Sequence, residues 1–289
     1  MSSSMQAILA KCEIKVWSRA KIDKEKTEEV LTAEGAAKGC GKWSKNVMPK
    51  KVIGKENLID AIANVASKAR SLHGELTLPW EPWPLLPVKN EPRYRQGMAA
   101  TKATFYSLVS QLPEKWTAYT NEAIKAQGGL ARSEDYPDVE TVMRKYFFDY
   151  AFAPVPTANH FVASLAESSL KELREQMEVR NAELVKVAQA NLIARLVNPL
   201  KEFAERLANP DERKFGKTLG MLERVCNEVD NLNSTTGDAS ITGLVSMTRN
   251  LVTALTPDAL QDEAIAKSVK ETTEKIVAQF GEPYVRKFA

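Results

Sequence analysis

The sequence of 289 residues is 44% hydrophobic and 27% charged, with a formal charge of +3, which fits a globular protein of one large or two ordinary domains. No apolar run approaches the roughly 20 residues that cross a bilayer, and the start, Met1 to Gln6, has neither the basic nor the apolar region of a signal peptide. Three scattered cysteines and two histidines argue against a structural zinc site, so a cytoplasmic chain without cofactor, metal or membrane partner is expected.

Cys12, Ile14 and Val16 alternate with Glu13, Lys15 and Trp17, the period of a half-buried strand. Residues 24 to 34 are charged and helix-prone, and Gly35, Gly39 and Gly41 then open a loop. Between Gly35 and Lys55 stand Lys38, Lys42, Lys45, Lys50, Lys51 and Lys55 with Trp43 and no acid. Cations beside an aromatic ring are what a phosphate backbone and a stacked base require. The plainer reading is a solvated loop whose Trp43 packs inward. As a Walker phosphate cradle the loop fails: the glycine spacing is too long, Trp43 stands where a hydroxyl must follow the lysine, and a helix precedes it.

Leu58, Ile62, Val65, Ala69 and Leu72 share one helix face, and His73 at the end of that helix is placed to meet its last carbonyls. Thr77 to Pro87 holds Trp80 and Trp83 on a proline-stiffened extended segment, read as a strap whose rings bury against a core. Met98, Phe105, Leu108, Leu112, Trp116 and Tyr119 keep helical spacing, with Pro113 kinking or dividing the helix and Gly128-Gly129 ending it. Asp135, Asp138 and Glu140 then cluster. Such carboxylates suit a magnesium-dependent nuclease or hydrolase, but acids at a helix start also complement its dipole. Phe147 to Pro156 alternates like a strand, and His160 follows in a turn.

Several of these stretches, taken in order, resemble a known family. They are Lys15-Val-Trp-Ser-Arg19, the TLPW of Ala69 to Trp80, Leu85-Leu-Pro87, the DYP of Asp135 to Pro137, and the PVP of Phe152 to Pro156 with Phe161. Over about residues 8 to 175 the chain is similar to a phage and bacterial family catalogued only as a domain of unknown function. The resemblance implies no catalytic residue or cofactor. Members are often encoded beside MoxR-type AAA+ ATPases or phage DNA-metabolism genes, which implies such an ATPase as a partner and, for a phage-encoded chain, the host cytoplasm as its place.

From Ser168 to Leu232 the sequence reads as a long helical reach opened by a capping box at Ser169 to Glu172. Leu170, Leu173, Met177, Leu184, Ala188, Leu192, Leu196, Leu200, Phe203 and Leu207 line one side of it. A kink is expected at 198, where Asn198 can cap a restart with Pro199 at the first helical position, and a turn or sharper bend at 209. Phe215, Leu219, Leu222, Val225, Cys226, Val229 and Leu232 form a returning stripe. A loop at 233 to 238 and helices at about 240 to 255 and 257 to 280 complete the chain, whose end, Tyr284 to Phe288, mixes aromatic and basic side chains.

The expected fold is α+β and mainly helical: a β-containing head domain over 1–161 and a helical arm over 162–289, an antiparallel coiled coil or bundle. The expected function is that of a non-enzymatic assembly protein. It would self-associate into a homo-oligomer and bind a macromolecular partner through Leu184, Leu192, Leu196, Leu200, Phe203 and Leu207. The alternative is a DNA- or RNA-binding accessory of phage recombination or replication. That reading uses Lys38, Lys42, Trp43, Lys45, Lys50, Lys51 and Lys55, with Arg93, Arg95 and Lys102. A nuclease or hydrolase built on Asp135, Asp138 and Glu140 is the third.

Overall fold

The computed structural model describes residues 6–37, 39–54, 57–156, 167–209 and 215–285. In chain order its elements are β1 (Ala7–Lys15), β2 (Ala20–Ile22), α1 (Lys24–Ala33), β3 (Ser44–Asn46), α2 (Lys50–Ile53), α3 (Leu58–Leu76), β4 (Leu85–Pro87), α4 (Glu91–Val109), α5 (Leu112–Gln127), α6 (Val139–Met143), β5 (Phe147–Pro154), α7 (Glu167–Ala208), α8 (Gly216–Thr236), α9 (Ala239–Thr253) and α10 (Glu263–Val285). The fold is α+β and mainly helical, as the periodicity predicts. Two compact units emerge, the first from 1–11, 73–94 and 151–289, the second from 12–72 and 95–150. The domain boundary expected between 161 and 162 lies outside the described residues, as does His160.

In the first unit β1 pairs antiparallel with β4, Ala7 opposite Pro87 and Leu9 opposite Leu85, in a sheet of order β4-β1-β5. α8 packs on α7, α9 on α8, and α10 along α7. Their shared core runs through Leu192, Leu196, Leu200, Phe203, Leu222 and Val229, and Trp80 joins it from the proline-rich strap. α7 is a single helix with Pro199 inside it, so the chain is not interrupted there. The turn expected after Asn209 borders residues 210–214, which are not described.

α8 reaches Thr236, four residues into the stretch read as loop. The polar residues that look loop-like fasten the hairpin instead. Buried Asn233 accepts from Thr236 Oγ1 at 2.6 Å and Asp238 N at 3.1 Å, and donates to Asp238 O and Thr242 Oγ1. Gly237, at φ 62°, provides the left-handed cap, and Asp238 caps α9. α10 starts at Glu263 rather than near 257, after a 3-10 turn and an Asp262 cap on the amides of Ala264 and Ile265.

In the second unit β2 and β3 form an antiparallel ribbon with Lys21 opposite Lys45, so the basic stretch contains a strand as well as a loop. Trp43 O accepts from Asp23 N, and Trp43 N donates to Thr27 Oγ1, tying the loop to α1. Pro113 falls in the first turn of α5 and divides it from α4. Trp17, expected on the outer face of a strand, lies beyond β1. It is buried with its ring edge-on to Trp116 at 5.3 Å. Phe105 meets Phe148 and Tyr146 edge-on nearby.

Candidate interaction surfaces

The second unit takes Lys45 out of the basic set. Lys45 is 7% exposed, and its Nζ lies 2.7 Å from Asp135 Oδ2 and 3.4 Å from Asp23 Oδ2. It also donates to Leu130 O at 2.7 Å. A cation so enclosed answers two buried carboxylates and cannot reach a phosphate. Asp23 is held below the ordinary carboxylate range chiefly by the Lys26 amide it caps, with Lys45 and Arg132 adding to the effect. Arg132 donates twice to Glu25, at 3.1 and 2.7 Å.

Of the other basic residues, Lys42, Lys50 and Lys51 are exposed and Trp43 is half-buried. Lys50 Nζ lies 3.9 Å from Asp60. Lys38 and Lys55 lie outside the described residues. Lys102 donates to Asp149 at 2.9 Å. Arg93 belongs to the first unit, where it donates to Glu75 at 2.6 Å, and Arg95 is exposed in the second.

The three acids of the nuclease reading have separate tasks. Asp135 answers Lys45. Asp138 caps α6, accepting from Thr141 N at 2.8 Å and Thr141 Oγ1 at 2.7 Å, bonds that hold its carboxyl below its ordinary range. Glu140 faces Arg144 at 3.7 Å. Among the described residues no group of three His, Cys, Asp or Glu side chains is placed to hold a metal ion, and no helix is long and apolar enough to cross a membrane.

In the first unit the leucine stripe divides at Ala188. Beyond it, Leu192, Leu196, Leu200, Phe203 and Leu207 are buried in the chain's own core, so these five are covered without a second subunit. Leu184 is only half-buried, and the side chains of Leu170 and Leu173 are not described. Arg195, which periodicity assigns to the polar side of the rod, caps α3. It donates to the carbonyls of Gly74 at 2.8 Å, Glu75 at 3.2 Å and Thr77 at 2.8 Å, and its Nη1 lies 2.6 Å from Glu228 Oε1. His73, expected in that capping role, instead shares a hydrogen bond at 2.8 Å between its Nδ1 and Tyr94 Oη. Burial holds its pKa below the ordinary 6.5.

Before Ala188, α7 changes character. Among the described side chains from Lys171 to Val187 none is buried. Val179 is 62% exposed and Val187 38%. With Leu184 they floor an open groove of about 680 Å³ whose rim carries Glu81, Glu175 and Glu183. Arg180 on the same rim pairs with Glu81 at 2.7 Å. Both partners of that pair are largely exposed, so it contributes little to stability. Val179 and Val187 escape a search for the main stripe because they sit eight residues apart on a different line of the helix. Two valines among charged residues on a nominally polar face were the available signal.

No protein-family model, curated protein or solved structure matches this chain at a significant level.

Proposed function

We propose that the protein acts by binding rather than by catalysis, and that it presents the uncovered first half of α7 to a macromolecular partner. One observation carries the reading: the helix buries its apolar stripe from Ala188 to Leu207, yet it extends through Lys171 to Val187 with apolar Val179, Leu184 and Val187 left open or half-open. A helix segment this long gains little from propensity alone and is normally stabilised by packing along an apolar face.

The groove also has a sign. Among the described residues its rim holds three carboxylates and one cation, Arg180, which Glu81 already neutralises. The matching partner is a segment with apolar side chains flanked by lysine or arginine. Completing the burial of Val179 and Val187 supplies only about 2 kcal/mol, so charge pairs at Glu175 and Glu183 and contacts beyond the groove must contribute the rest. A MoxR-type AAA+ ATPase is the partner to try first, and a second copy of the chain is the alternative that the same experiment detects.

A photo-crosslinking residue at Val179, expressed in the native host and followed by mass spectrometry, tests this. Capture of one defined protein, abolished by Val187→Glu, supports the surface. Capture equal to that from an exposed position on α9, such as Ser246, contradicts it.

A further inference from the structure

The direction of α10 follows from its neighbours. The start of α8 lies beside the covered half of α7, with Phe215 edge-on to Phe203 at 5.8 Å and Arg206 Nη1 donating to Thr218 Oγ1 at 3.1 Å. Pro257 sits against that same start, where a Cβ built at Gly216 would meet its Cγ at 3.8 Å. At the other end of the bundle the turn between α8 and α9 meets α7, Gln189 Nε2 donating to Asp238 Oδ2 at 2.8 Å. Opening soon after Pro257, α10 can pack along α7 only by running back toward Ala188. It stays in the core as far as Phe280. The 23 residues of α10 span about 34 Å, whereas Phe203 to Ala188 on α7 spans about 23 Å. α10 therefore outruns the covered half by roughly one to two turns and ends near the level of Val179 to Leu184.

The sequence continues with Arg286, Lys287 and Phe288, which lie outside the described residues. Their chemistry complements the groove on α7. Glu81 pairs with Arg180, which leaves Glu175 and Glu183 on the rim without an ion pair among the described residues. Two adjacent cations match these two carboxylates, and an aromatic ring suits a floor of Val179, Leu184 and Val187. The distance is also right. Packed helix axes lie about 8–10 Å apart, and three extended residues reach about 10 Å. A tether this short gives an effective concentration in the millimolar range, enough to populate a contact too weak to form between separate molecules.

We infer that residues 286 to 288 of the same chain dock in the α7 groove, Arg286 and Lys287 against Glu175 and Glu183 and the Phe288 ring over the valines, as a weak internal competitor for whatever binds there. The inference rests on the reading of that groove as a binding surface, and it adds that a partner displacing the segment must itself carry paired cations beside an aromatic ring. A photo-crosslinking residue in place of Phe288 tests it in the full chain, with unlabelled and nitrogen-15-labelled protein mixed equally at micromolar concentration. Crosslinks map to residues 175 to 187, and both linked peptides carry the same label. Glu175→Lys with Glu183→Lys abolishes them without lowering the melting temperature, since both side chains are exposed. A fluorescein-labelled peptide of residues 284 to 289 gives a second reading. It binds the full chain carrying Arg286→Ser, Lys287→Ser and Phe288→Ser several-fold more tightly than the parent, whose own segment competes. Crosslinks that map elsewhere, that join differently labelled copies or that survive the charge reversal overturn the inference, as does a peptide that binds neither chain or both alike. Capture from Val179 separates the two readings. A crosslink from position 288 to the groove with no captured host protein removes the partner reading and leaves the docked segment, whereas a captured protein with no such crosslink removes the docked segment alone.

Discussion

Arg195 of α7 sets its Nη1 2.6 Å from Glu228 Oε1 of α8 while the same guanidinium donates to the carbonyls of Gly74, Glu75 and Thr77. One planar fork thus answers the orphan acceptors at the end of α3 and a carboxyl from the bundle. Burial pushes the Glu228 carboxyl above its ordinary range, with Arg195 working in the opposite direction. Arg195→Ala strands all of these acceptors together and is expected to lower stability by about 3 kcal/mol in urea unfolding. Glu228→Gln costs less, about 1 kcal/mol, since the amide oxygen still accepts. Arg195→Lys recovers only part of the loss, because an ammonium cannot fork across three carbonyls.

Lys45 and Lys42 differ by three positions and belong to different worlds. Lys45→Ala leaves buried Asp135 without its cation and Asp23 with Arg132 alone and is expected to lower the melting temperature clearly. Lys42→Ala, on the exposed loop, leaves it unchanged. If labelled oligonucleotide binds at all, Lys50→Ala with Lys51→Ala flattens the salt dependence by about one unit per lost phosphate contact. Lys45→Ala acts on that binding only through stability.

Acid should weaken the fold in two stages. Burial holds His73 below its ordinary 6.5. The folded state then takes up its proton later than the unfolded chain, so the stability it contributes is present above pH 6.5 and is lost as pH falls through the depressed value. Burial raises Asp60, but hydrogen bonds from Asn57 and Arg19 prevail and leave it below the ordinary 3.8. Its contribution is present above pH 3.8 and is lost as pH falls through the lower folded value. Urea midpoints recorded against pH should show a first decline that His73→Gln removes and a second that Asp60→Asn softens.

The thiols offer a check on the core. Burial pushes Cys226 and Cys12 each up to about 11, whereas Cys40 is exposed. At pH 8 only on the order of a thousandth of either of these two thiols is ionised. A thiol reagent should therefore label Cys40 first in the native chain and reach Cys226 only with unfolding.

How much could be read in advance depends on how far apart the deciding residues lie. The bundle was legible because a stripe such as Ala188, Leu192, Leu196 and Leu200 has one economical burial, against other stripes like it. β3 was not, since Ser44-Lys-Asn46 carries no apolar pattern. Its central residue is instead anchored by Asp135 and the Leu130 carbonyl, far along the chain. The same distance hid Arg195, whose polar position on a helix gave no hint that it ends α3. The point where cover stops on α7 was invisible for another reason: Met177 and Leu184 continue the stripe, and only packing shows them half-open.

Amide hydrogen exchange along α7 is the measurement that bears most directly on the binding surface, read in the dilute chain and again with the captured partner. Residues 171 to 187 are expected to exchange much faster than 188 to 207 in the chain alone, and to slow on complex formation while the bundle hardly changes. Equal protection of both halves in a dilute monomer, or exchange at 171 to 187 that the partner leaves untouched, would contradict it.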